Sequence, residues 1–132
     1  MQAGDTARFS KTISESDIYG FAGITGDFNP VHVDAVYASG TRFGQRIAHG
    51  MLTSSFICTV LGTQLPGLGT IHTKQYLEFK APVFIGDTIT VELEVESLFN
   101  DNKFARLNCR ITRQDGTEVV TGYSEVKLPR NA

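Results

Sequence analysis

An aspartate and a histidine stand five positions apart in the run Gly26-Asp27-Phe28-Asn29-Pro30-Val31-His32, with a proline between them. A carboxylate and an imidazole are side chains that can take a proton from water and return one near neutral pH. To act on one water, both must leave the same bend. Asp27 follows a helix-like stretch and a glycine, and the residue before a proline is pushed out of helical geometry. The Asn29-Pro30 step therefore reads as a helix stop, and both side chains are expected to project from one sharply bent loop.

The elements that would position this loop follow from local pattern. Residues 8–13 read as a short strand, and Ser14 with Asp17 three residues later reads as a helix start with a carboxylate in the first turn. Ile18, Phe21, Ala22 and Thr25 recur at helical spacing up to Gly26, and Asp34 is placed to cap a second brief helix through Ala38. Ser39 to Arg46 is irregular, the kind of segment that grips ligands. From Gly50 to about Thr63 small or apolar residues occupy every face, which predicts a helix surrounded by protein, ended by Gln64 to Thr70 with Pro66, Gly67 and Gly69.

Beyond Thr70 the period changes to alternation and the rest reads as strands. Ile71, Thr73, Gln75, Leu77 and Phe79 share one face of the first. Ile89, Val91, Leu93 and Val95 oppose Thr90, Glu92, Glu94 and Glu96 in the next, which has one wet face. After the Asn100 to Lys103 turn, Ala105, Leu107, Cys109 and Ile111 point inward and Arg106, Asn108 and Arg110 outward, so Glu and Arg rows are expected to pair across strands. The last strand carries Val120, Gly122, Ser124, Val126 and Leu128 on one face, small enough at two positions to admit a close helix. Antiparallel strands wrapped around one buried helix is the α+β architecture implied.

At 132 residues with no linker-like segment or internal repeat, the chain reads as a single domain, 1–132. A net charge of −2 without a basic stripe argues against nucleic-acid binding. The amino terminus lacks a basic leader and an apolar core, and the longest apolar stretch, 47–61, is short and interrupted by polar residues, so no membrane span and a cytoplasmic location are expected. Two cysteines, Cys58 and Cys109, make no disulfide framework or cysteine zinc site and read as small buried hydrophobes. Asp27, His32, Asp34 and His49 have donor types that suit a divalent ion, but their spacing matches no metal motif, so no metal is expected.

Phe21, Ile24, Thr25, Gly26, Asp27, Asn29, Pro30, Val31, His32 and Ala38 together resemble the signature of the MaoC-like hydratase/dehydratase family, in particular its short (R)-specific enoyl-CoA hydratases. The likeness extends to His49-Gly50-Met51, Leu65-Pro66-Gly67, Phe79-Lys80-Ala81-Pro82-Val83 and Gly86-Asp87, covering nearly the whole chain. It implies a hot-dog fold, a homodimer with acyl thioester entering between subunits, and a lyase of fatty-acid metabolism. The implied reaction is reversible syn hydration of trans-2-enoyl-CoA to (R)-3-hydroxyacyl-CoA, with coenzyme A part of the substrate and no cofactor.

Carried over by residue, Asp27 and His32 match the catalytic pair, Asn29 the residue that shapes and hydrates the bend, and Gly50 the glycine leading the central helix. Its backbone N–H suits an oxyanion donor, because the first-turn N–H groups and the helix dipole favour negative charge. Cys58 stands where relatives often have a serine near the catalytic aspartate, and a thiol is the weaker donor. Arg42 and Arg46 are the best placed cations for coenzyme A phosphates, ahead of Lys74, Lys80 and Arg106. His49 either meets substrate or fixes the loop or caps the helix, and His72 reads as a surface residue. Rival readings are a 3-hydroxyacyl dehydratase acting on acyl carrier protein, a hot-dog thioesterase, and a non-catalytic acyl-CoA-binding protein.

Overall fold

A computed structural model of the chain describes residues 1–130, so residues 131–132 of the expected domain lie outside the described residues. Nine elements follow in order: β1 (Thr6–Thr12), α1 (Glu15–Thr25), α2 (Pro30–Val33), α3 (Ala35–Ser39), α4 (Gly50–Thr63), β2 (Ile71–Phe79), β3 (Thr88–Phe99), β4 (Phe104–Thr112) and β5 (Glu118–Lys127). All the strand pairs are antiparallel, in the order β1-β3-β4-β5-β2, and α4 lies against the sheet. This is the expected hot-dog arrangement. No helix among the described residues is long and apolar enough to cross a membrane.

The core forms where the two periodicities meet. Leu52, Ile57, Val60 and Leu61 of α4 pack in one cluster with Ile89, Val91, Leu93 and Val95 of β3, Leu107 and Ile111 of β4, and Val120 and Val126 of β5. Helix spacing supplies one apolar stripe and strand alternation one apolar face, and joining them removes both from water.

Three expectations need correction. The helix α4 is not enclosed on all faces: Met51, Ser55 and Cys58, at helical spacing, are exposed, and β2 beside them is an edge strand with Ile71 and Phe79 more than half exposed. The charged rows pair mostly away from the β3–β4 seam. Arg106 and Arg110 reach Glu125 and Glu118 on β5, Arg8 of β1 reaches Glu92, and Arg106 to Glu96 at 3.8 Å is the long contact between β3 and β4. Gly122 makes room for a strand rather than a helix, since a Cβ there would lie 1.8 Å from the Tyr76 carbonyl oxygen of β2.

Candidate active site

The bend begins as the sequence implies. Ser14 and Asp17 form a reciprocal capping box on α1, and the helix closes at Gly26 in the left-handed region, φ 80°, where glycine carries no Cβ penalty. Pro30 does more than stop a helix: it occupies the first turn of α2, where its missing N–H costs nothing. Asn29 accepts the Val31 N–H through its side-chain oxygen, so it shapes the bend and does not line the cleft. The Asp27 N–H donates to the Thr25 hydroxyl, and one Asp27 carboxylate oxygen accepts the Asn29 N–H at 3.2 Å. Asp34 is spent on capping α3, accepting from Val36 and Tyr37.

Asp27, His32 and His49 converge. Each offers one ligating atom, and these three atoms lie within 4.8 Å of one another. They line a cleft of about 440 Å³ with Phe21, Thr25, Gly50, Met51 and Phe79. Asp27 is exposed, whereas His32 and His49 are buried. The His32 Nδ1 sits 2.7 Å from the Ile47 carbonyl oxygen, which only accepts, so Nδ1 carries the hydrogen and Nε2 of the neutral ring keeps its lone pair. Burial lowers the His32 pKa below the ordinary 6.5 and adjacent His49 adds to this, against the raising effects of the Ile47 bond and Asp27.

The rings of His32 and His49 stack with centroids 3.9 Å apart and planes at 28°. Imidazole lone pairs lie in the ring plane, so stacked rings aim theirs side by side rather than at one point. His49 heads α4 without a side-chain cap, contrary to one expectation for it, and Gly50 begins the first turn at the cleft wall. A Cβ at Gly50 would meet the Phe79 ring at 2.8 Å, so glycine lets that aromatic lie over the helix start.

Gly50 and Phe79 also border a second cleft of about 300 Å³, reaching Arg42, Phe43 and Lys80. Arg42 is exposed there and takes no ion pair among the described residues, which leaves its guanidinium open to the cleft. Arg46 does not. Its guanidinium binds Glu15 at 2.5 Å and the Tyr19 hydroxyl at 3.0 Å, and the Glu15 bond raises its pKa, so it pins the loop to α1. Arg46→Ala is therefore expected to lower stability by about 1 kcal/mol or less while leaving KM for substrate within about twofold, as thermal melts and initial rates would show.

Cys58 is likewise displaced from the expectation. Among the described residues it joins no cluster of potential ligating groups with Asp27, and it is exposed rather than a buried hydrophobe. Its thiol lies 3.7 Å from His72 Nδ1, and His72 Nε2 donates to the Gln75 amide oxygen at 2.8 Å. Cys109 is buried as expected, with burial raising its thiol pKa. The Ile47 carbonyl is the site group that sequence reasoning missed: it acts through the main chain, which no side-chain motif reports. Phe79 read as a strand residue, although the Phe79 to Val83 motif was the signal.

The family model described as MaoC like domain matches residues 2–120. The (R)-specific enoyl-CoA hydratase of Rhodospirillum rubrum is 49% identical over 131 residues, covering 98% of this chain and 89% of that protein. The (R)-specific enoyl-CoA hydratase of Aeromonas caviae is 45% identical over 129 residues, covering 98% and 96%. The solved (R)-hydratase from A. caviae, described as involved in PHA biosynthesis, matches with a TM-score of 0.95 over 98% of each chain.

Proposed function

The chain belongs to the MaoC-like domain family, and from that membership and the cleft we propose that it is a cytoplasmic hydro-lyase adding water reversibly to trans-2-enoyl-CoA to give (R)-3-hydroxyacyl-CoA. The observation that carries this reading is the convergence of Asp27 and His32 groups within 4.8 Å. Two hydrogen bonds of about 2.8 Å each let one water span that gap. The oxygen of this water bonds to Cβ as the C=C π bond breaks, its proton passes to the pair, and the pair delivers a proton to Cα. Both transfers come from one wall of the cleft, which makes the addition syn.

Charge developing on the thioester oxygen is met by the backbone N–H at Gly50, in the first turn of α4. No metal or redox step enters this scheme. The second cleft suits the coenzyme A portion, with Arg42 facing its phosphates. Arg42→Ala is expected to raise KM roughly 3–10-fold with little change in kcat, and the rise should shrink at high salt. The exposed edge of β2, with Ile71 and Phe79 uncovered, supports a homodimer joined along this strand.

The deciding experiment is turnover of crotonyl-CoA, followed by loss of enoyl absorbance and chiral analysis. The expected result is (R)-3-hydroxybutyryl-CoA without thiol release. Thiol release would instead mark a thioesterase, and faster turnover of the carrier-bound chain an acyl carrier protein dehydratase. Absence of all these activities would leave a binding protein.

A pH dependence follows from His32. If its neutral ring accepts from water, kcat/KM is lost as pH falls through its lowered pKa, so the acid limb has its midpoint below 6.5. Stability has the same sign. The unfolded chain binds the proton more readily, so this group's contribution is present above the unfolded value and is lost as pH falls towards the folded one. An acid limb at or above 6.5, or one unchanged in a His32 variant, contradicts the assignment.

A further inference from the structure

We infer that His49 is a positioning residue for the acid/base pair, holding the Asp27 main chain by an Nε2–H hydrogen bond and the His32 ring by stacking. The inference rests on the hydratase reading and adds to it a residue that need not touch the substrate.

The Nε2 of His49 lies 3.0 Å from the Asp27 carbonyl oxygen, across 22 residues of chain. A carbonyl only accepts, so Nε2 carries the hydrogen. Its Nδ1 is buried and has no partner among the described residues, and the whole residue is 3% exposed. Protonation would place a new N–H at Nδ1 with nothing to receive it, inside protein that excludes water. It would also set a cation against the face of His32, at a ring separation of 3.9 Å.

The Phe21 ring lies 4.9 Å away on α1, and the titratable side chains grouped with the imidazole are those of Asp27 and His32. The stacking matters to turnover because His32, if it takes the water proton, must keep its ring orientation towards the cleft, and the His49 ring lies flat against its face. The hydrogen bond to Asp27 answers a different need. The carboxylate stands on an exposed bend whose other bonds are local, and buried His49, which heads α4, is the long-range tie.

The experiment pairs kinetics with nitrogen-15 NMR of the imidazoles in the full chain. His49→Phe keeps a ring and removes the donor, while His49→Gln keeps a donor and removes the ring. The expected result is a loss of about tenfold in kcat for His49→Phe with KM within about twofold, and partial recovery in His49→Gln. In the unaltered protein His49 should show the Nε2–H pattern. An Nδ1–H pattern, full kcat in His49→Phe, or a loss confined to KM would each overturn the inference. Should the unaltered protein not hydrate enoyl-CoA, the hydratase reading falls by itself, and the NMR pattern still decides how His49 is held.

Discussion

Asp27→Asn is expected to leave the fold intact and to cut kcat by about 10²–10⁴-fold, and His32→Ala to do the same. Under the proposed mechanism the two groups divide the handling of one water. Asp27 is exposed, and its hydrogen bonds to Thr25 and Asn29 are local to the bend, so an amide of the same shape keeps most of them while losing the capacity to hold a proton. His32 is buried and bonded to Ile47, so its removal should also lower stability by about 1–2 kcal/mol. The double variant should be little worse than either single one, because two groups serving one proton relay do not contribute independently. Purified variants assayed on crotonyl-CoA alongside circular dichroism decide the matter: near-normal turnover in either single variant removes the acid/base assignment.

The second large effect is structural. Gly122→Ala is expected to destabilise the protein by about 3 kcal/mol or more and to lower Tm by roughly 10 °C. The added carbon would lie 1.8 Å from the Tyr76 carbonyl oxygen and 2.8 Å from its carbonyl carbon. Those atoms belong to a neighbouring strand, so no rotamer change relieves the contact. The seam between β2 and β5 must open, and with it moves Phe79, which borders both clefts. Activity should therefore fall beyond the unfolded fraction. Thr121→Ala, one residue away, serves as the comparison, and equal melting points for the two variants would show that the close approach is not rigid.

Legibility in the sequence followed the range of the interactions. The Ser14–Asp17 capping box, the left-handed Gly26, the Asp34 cap and the alternation of β3 and β4 are local, and all emerged from spacing and residue type. That Asp27 and His32 share one cleft was legible the same way, since five residues separate them. What escaped was decided at a distance. Arg42 and Arg46 look alike in the chain, and only Glu15 and Tyr19, brought from α1, commit one of them. The open face of α4 looked enclosed because an apolar pattern does not say whether its cover comes from the same chain. Gly122 was read through its missing side chain towards the helix, when the crowding comes from the strand beside it.

His49 and Gly50 are joined by one peptide bond, the first bonded to the Asp27 main chain and the second opening α4 at the cleft wall. Under the proposed mechanism, proton delivery and charge stabilisation would be mechanically one part. A shift at this junction disturbs both, so substitutions on either side of it should combine unpredictably from their separate effects. Selection would then have to retune the two together, whereas the outlying phosphate-facing surface can drift alone.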